Sequence, residues 1–182
     1  MSLKFTLLVI LALLISAPAQ TSVGERHYEP AGGFSFCPPA GWEKAEIQGQ
    51  KFKVHFIATP EGLAPNIIAS AEEFGGTLAE FVDGNMQLLS EMSKTGRIKA
   101  FRMVARSELT TLAGSKALKA VVEQESGGLL VRQTFYALEG TGKRKFSLTC
   151  TVPAAAAEKY EKALDESAKT FRVEGPPAPP KP

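Results

Sequence analysis

The chain has 182 residues and a formal net charge of +2, from 21 Lys and Arg against 19 Asp and Glu. That balance argues against a dedicated nucleic-acid binder, which carries a concentrated basic excess. The length suits one folded domain with a sizeable core.

The first residues read as an export signal. Lys4 gives a positive start, residues 5–15 an apolar run, and Ala17-Pro18-Ala19 a small-residue cleavage site. A signal peptide over 1–19 is expected, cut between Ala19 and Gln20. The alternative is a membrane anchor, but a bilayer span takes about 20 apolar residues and this run is shorter. No cysteine stands at the cleavage site to carry a lipid. The expected location is therefore exported, periplasmic or secreted, without a stable membrane anchor. Residues 20–33 are short, polar and expected to form a loosely held N-terminal linker.

Phe34-Ser35-Phe36-Cys37 alternates apolar and small side chains and predicts a short strand. Pro38 and Pro39 remove two backbone donors and stop it. Ala40-Gly41 makes a turn, and Trp42 returns a large apolar side chain to the core. Residues 51–57 alternate at period two, with Phe52, Val54 and Phe56 on one face. Residues 59–65 form a loop by their Pro and Gly content. Strand character resumes over 66–74 through Ile67 and Ile68, and Gly75-Gly76 ends it.

Residues 77–93 give the clearest helix. Thr77 and Glu80 form a capping box, which satisfies two backbone donors at a helix start. Leu78, Phe81, Val82, Leu89 and Met92 fall on one stripe at helical spacing, predicting a core-facing side. Gly84 weakens this helix by about 1 kcal/mol relative to Ala, and Gly96 is its expected stop. Strands follow over 98–107, 116–124, 129–138 and 145–152. Turns at 112–115, at Gly127-Gly128 and at 139–142 join them. Pro153 suits a first helical turn, and Tyr160, Leu164, Ser167 and Phe171 carry a helix over 154–171. Residues 174–182 are Pro-rich and expected as a disordered tail. This order predicts an α+β domain with an antiparallel sheet covered by helices.

These pieces resemble the PsbP-like superfamily, which includes bacterial DcrB-type exported proteins. The resemblance rests on Phe34-Ser35-Phe36 with Pro39 and Gly41-Trp42, and on Asn66-Ile67-Ile68. It continues through Ala113-Gly114-Ser115-Lys116-Ala117, Phe146-Ser147-Leu148-Thr149 and Thr170-Phe171. It covers residues 34–173, the expected domain. It implies an α/β/α sandwich around a central antiparallel sheet. It also implies a non-catalytic accessory or binding protein, since members include photosystem II oxygen-evolving factors, envelope lipoproteins and adaptors for secreted toxins. The chain departs from the lipoprotein members in lacking a lipidation cysteine, and no family site residue carries over to it.

The residues themselves offer little chemistry. His27 falls in the linker and His55 in the middle of a strand. No zinc-ligand spacing is present, and no cofactor is expected. Asp83 and Asp165, the only aspartates, both fall on expected helices, while Glu72 and Glu73 are adjacent on a strand and point to opposite faces. A Cys37–His55 nucleophile pair is conceivable, but export favours oxidation of the thiol. Export also predicts a Cys37–Cys150 disulfide tying the first strand to the last. Against that, Cys150 shares its face with Phe146 and Leu148 whereas Cys37 shares its face with Ser35, so two separately packed thiols remain the alternative.

Acidic residues outnumber basic ones over 20–91, and the balance reverses over 92–147. Either acidic and basic strands neutralise each other across the sheet, or the domain presents a basic face to an anionic partner. That face would comprise Arg97, Lys99, Arg102, Arg106, Lys143, Arg144 and Lys145. Lys143-Arg144-Lys145 sits at a hairpin tip, where charge guards a sheet edge, and no aromatic residues interleave for base stacking. The expectation is an exported, non-catalytic protein that binds a protein partner in the bacterial periplasm or envelope. A carrier for an apolar ligand is the alternative, followed by a thiol enzyme using Cys37.

Overall fold

The structure, a computed structural model, describes residues 23–45, 54–57 and 64–175. The expected signal peptide with Ala19 and Gln20, Phe52, the side chain of His55 and most of the Pro-rich tail lie outside the described residues. The large sheet is built from β3 (Glu43–Ala45), β4 (Val54–Ile57), β5 (Asn66–Glu73), β6 (Lys99–Thr110), β7 (Lys116–Ser126), β8 (Leu129–Glu139) and β9 (Arg144–Pro153). It is antiparallel throughout, in the order β3-β4-β5-β9-β8-β7-β6. A small sheet joins β1 (His27–Glu29), β2 (Phe34–Phe36) and β10 (Arg172–Val173), with β2 in the middle. The helices are α1 (Leu78–Lys94) and α2 (Ala157–Lys169), the latter entered through a 3-10 turn at Ala154–Ala156.

Alternation along the central strands sends side chains to two cores. On one face, Ala120, Val122, Phe135 and Ala137 pack under Phe81, Val82 and Met86 of α1. On the other, Ile67, Tyr136, Leu138, Phe146, Leu148 and Cys150 pack against Leu164 and Ala168 of α2 and against Phe34 and Phe36 of β2. The expected α+β sandwich, with helices over an antiparallel sheet, is the fold found.

The capping box forms as the sequence predicts. The Glu80 amide donates to Thr77 Oγ1 at 3.2 Å, and the Thr77 amide donates to Glu80 Oε2 at 2.7 Å. Gly96, at φ +73°, follows the α1 C-cap in a conformation that costs glycine nothing. The buried residues of α1 differ from the expected stripe. Met86 is buried, whereas Leu78, Leu89 and Met92 are only half-buried at the rim.

The expected linker over 20–33 is a correction, because part of it folds as β1. His27, Tyr28 and Glu29 pair with Phe36, Ser35 and Phe34. Arg26 locks the segment by donating to Ser35 Oγ at 2.8 Å and to the Thr170 carbonyl at 3.1 Å. The physical reason is non-local. A short polar strand has little propensity of its own, but here it pairs with β2 and covers Phe36. The chain's other end is held in the same sheet, since Arg172 and Val173 pair with Ser35 and Phe34 and the Ser35 hydroxyl donates to Glu174.

Candidate functional site

Strands β6 to β9 form a meander, so the β6–β7 and β8–β9 turns meet at one end of the sheet. The start of α1 comes down over the same end, and the three define a cleft of about 890 Å³. Thr77, Leu78 and Ala79 form one wall. Glu108, Leu109 and Thr110 of β6, with Ser115 of the turn and Lys116 to Leu118 of β7, form the floor, and Glu139, Gly140 and Thr141 form the far lip.

Each side of the cleft is held by local chemistry. The β6–β7 turn is tied back on itself, the Thr111 amide donating to the Ser115 carbonyl at 2.9 Å and the Ser115 amide to Thr111 Oγ1 at 3.1 Å. The Leu112 amide then donates to the Lys169 carbonyl at 2.7 Å, anchoring the turn to the end of α2. At the lip, Gly140 allows the tight approach of the Arg144 carbonyl, with which any Cβ would collide. Glu139 is held by the buried Lys145 ammonium at 2.6 Å. Glu80, just inside α1, lies below the usual carboxylate range because the Thr77 backbone and hydroxyl both donate to it. The cleft therefore offers apolar side chains on its floor and wall (Leu109, Ala117, Leu118 and Leu78), four hydroxyls (Thr77, Thr110, Ser115, Thr141) and three charged side chains (Glu108, Lys116, Glu139). Such a surface can bind through apolar contact and hydrogen bonding. A smaller cavity of about 190 Å³ lies between α1 and the sheet beside Met86, Leu89, Val122 and Phe135.

The residues singled out from sequence are scattered relative to this cleft. Cys37 and Cys150 are both free thiols, so the expected disulfide is not formed. The backbone of Cys37 is clamped to the last turn of α2: its amide donates to Thr170 Oγ1 at 2.7 Å and its carbonyl accepts from Ser167 Oγ at 2.6 Å. Cys150 is buried within β9, opposite Ile67 and Thr134. Burial pushes its thiol well up, and the Asp165 charge adds to that, so it stays protonated and inert. Two separately packed thiols is the arrangement found.

His27 packs edge-on against Phe36 and Phe56, at 6.3 and 5.3 Å between ring centres. Burial lowers its pKa, and the Lys44 charge lowers it further. The backbone of His55 pairs with Ile68 and Ala45 in β4. Asp165 accepts from Tyr136 Oη at 2.5 Å and from Lys119 Nζ at 2.7 Å, a half-buried network on the α2 face of the sheet. Among the described residues, no group of three or more His, Cys, Asp or Glu could hold a metal ion.

The seven basic residues do not form one surface. Lys143, Arg144 and Lys145 lie at the cleft end of the sheet, whereas Lys99 lies at the opposite end of β6, across from Glu125. Most are answered locally. Arg102 pairs with Glu123, which also takes Arg132 at 2.7 Å, and Arg106 pairs with Asp83. Glu123 consequently lies below the usual carboxylate range, Arg132 first and then Arg102 stabilising its charge. Arg144 donates to the Gly32 carbonyl at 3.2 Å. The acidic and basic strands do lie side by side, with Glu72 opposite Lys145 and Glu73 opposite Arg144. Arg97 is exposed just beyond α1.

Sequence reading missed the cleft residues. Its turns were legible, but their convergence with the start of α1 follows from strand order and helix packing.

No protein-family model matches the chain, and no curated protein matches it in sequence. Solved structures do match in shape. Cyanobacterial PsbP (CyanoP) from Synechocystis superimposes with a TM-score of 0.63 at 12% identity, over 86% of this chain and 96% of that one. The Ran-binding protein Mog1p of Saccharomyces cerevisiae gives 0.59 at 14% identity, over 82% and 94%. LpqN of Mycobacterium tuberculosis, involved in cell envelope biogenesis, gives 0.57 at 14% identity, over 78% and 83%. With its antiparallel sheet between α1 and α2, the chain has the PsbP-like fold.

Proposed function

We propose that the chain is exported, is cut between Ala19 and Gln20, and acts in the bacterial periplasm or envelope as a non-catalytic module that binds a protein partner through the cleft. The observation carrying this reading is the lining of the cleft, an apolar floor with hydroxyls and charges around it. That is the anatomy of a protein-recognition surface, with apolar contact at the centre and polar groups at the rim. Proteins of the same fold include one described as Ran-binding and one described as involved in envelope biogenesis, which supports a binding role in general terms. Cys37 and His27 do not line the cleft. The carrier reading draws on the smaller, separate cavity under α1, lined by Met86, Leu89, Val122 and Phe135.

A photocrosslinking residue placed at Thr141, with one at Lys159 on exposed α2 as control, tests the reading in the producing cell. A discrete protein adduct from Thr141 alone, weakened by Lys116→Glu, is the expected result. Equal adducts from both positions would sink the cleft as the site. Lipid released from the purified protein, with no adduct, would establish the carrier reading instead. Intact mass of the exported protein should begin at Gln20.

A further inference from the structure

The long edge of the sheet has an internal complementarity that sequence reading did not use. β6 is the last strand of the sheet, and among the described residues no strand pairs with its outer side. It is exposed along most of its length. Such an edge is a template for another strand unless something blunts it. The first half of β6 is blunted, because register shifts fall between Lys99 and Arg102 and between Met103 and Ala105. From Ala105 to Thr110 the ladder with β7 is regular.

We propose that two copies of this chain pair antiparallel through β6, about a two-fold axis at Ser107, so that each copy completes the rim of the other's cleft. In that register Arg106 of one copy stands opposite Glu108 of the other, and the reverse pair forms by symmetry. Both side chains lie on the α1 face: Arg106 reaches Asp83 of α1, and Glu108 lines the cleft beside the start of α1. On the other face Ala105 stands opposite Leu109, while Val104 stands opposite Thr110, which shares the α1 face with Arg106 and Glu108. Opposite-charge and apolar cross-strand pairs favour this register. A shift of the axis by one residue would set Arg106 against itself, which disfavours the alternative.

Exposed apolar side chains are concentrated along the same edge. Met103 is 42% exposed, Val104 38% and Leu112 75%. The two-fold brings Met103 and Val104 of one copy to Thr110, Thr111 and Leu112 of the other, at the mouth of the cleft. An acidic strand from another protein fits less well, because it would set carboxylates against Glu108 as well as against Arg106 on the same face. The pairing rests on the edge strand alone and does not require the cleft to be a binding site.

Sedimentation of the full exported chain, from about 1 to 100 µM, should show a reversible dimer. Arg106→Glu and Glu108→Arg should each weaken it by about tenfold or more, since each sets like charges opposite one another. An equimolar mixture of these two variants should restore dimers, because each supplies the charge the other lacks. A variant that had merely misfolded would not be rescued, and circular dichroism checks that both are folded. Ser107→Cys, in a Cys37→Ser background, should form a disulfide-linked dimer on oxidation, because residues facing each other across an antiparallel pair are about 4.5–5.5 Å apart at Cα. A wild type that stays monomeric throughout, or single variants that dimerise as well as wild type, would overturn the proposal. Neither outcome bears on crosslinking from Thr141, so the two readings fail separately.

Discussion

Phe34 and Phe171 offer a direct test of whether the two ends of the chain belong to one core. Both are fully or almost fully buried. Their rings stack at 5.6 Å with 16° between planes, and both meet Phe146 of β9, at 5.7 and 5.2 Å. Phe34 comes from β2 and Phe171 from the segment leaving α2, and their shared contact with Phe146 joins the small sheet to the large one. Leucine keeps roughly the volume of either side chain, so Phe34→Leu and Phe171→Leu should each cost about 1–1.5 kcal/mol. The stacked pair itself adds ~0.5–1.5 kcal/mol beyond area burial. The double variant should therefore lose less than the sum of the singles by that amount. Urea unfolding followed by Trp42 fluorescence is the assay, Trp42 being half-buried beside Tyr160 at 6.1 Å. With m near 1–3 kcal/mol/M, each single change should lower the midpoint by ~0.3–1.5 M without altering m. If the two changes add to within ~0.3 kcal/mol, they behave as independent sites. Phe34 and Phe171 would then rest on Phe146 independently, and the reading of one coupled aromatic cluster would be wrong.

The first helix separates cap from core: Thr77→Ala should cost about 1 kcal/mol, and Met86→Ala ~2–5 kcal/mol. Half-buried Leu89→Ala should cost less than Met86→Ala, and the reverse order in denaturant melts would mean that α1 is rotated. His27 has a folded pKa below its unfolded value, so near pH 6 the unfolded chain binds more protons and stability rises with pH. The His27 contribution should be present above the unfolded pKa of about 6.5 and fade as pH falls through the lower folded value. His27→Phe should flatten that acid limb, and an unchanged limb would show that other groups set it. Denaturing the exported protein without reductant should expose two titratable thiols, whereas a Cys37–Cys150 bond would leave none.

What the chain declares locally was readable without coordinates. The capping box at Thr77 and Glu80, the stop at Gly96 and the hairpin at Gly127-Gly128 depend on residues a few positions apart, and each appears where its residues demand. Turn signals at 112–115, Gly127-Gly128 and 139–142 marked off β7 to β9, and their succession implied an antiparallel sheet under helices. Tertiary structure decided the rest, because the deciding contacts join residues far apart in the chain. β1 exists only because β2 offers it a partner, and β10 because β2 has a second free edge. Sequence left open whether the basic residues form one face or are neutralised, and it took Glu123 from β7 and Asp83 from α1 to answer Arg102 and Arg106. The thiols are parted because Cys150 faces the core while α2 fixes the backbone of Cys37. The cleft is the clearest case. Its turns announce themselves by composition, but its wall is the start of α1, brought there by Phe81, Val82 and Met86 burying themselves on β7 and β8. Apolar burial is non-directional, so periodicity can say which side of a helix will be buried but not where along the sheet it will settle.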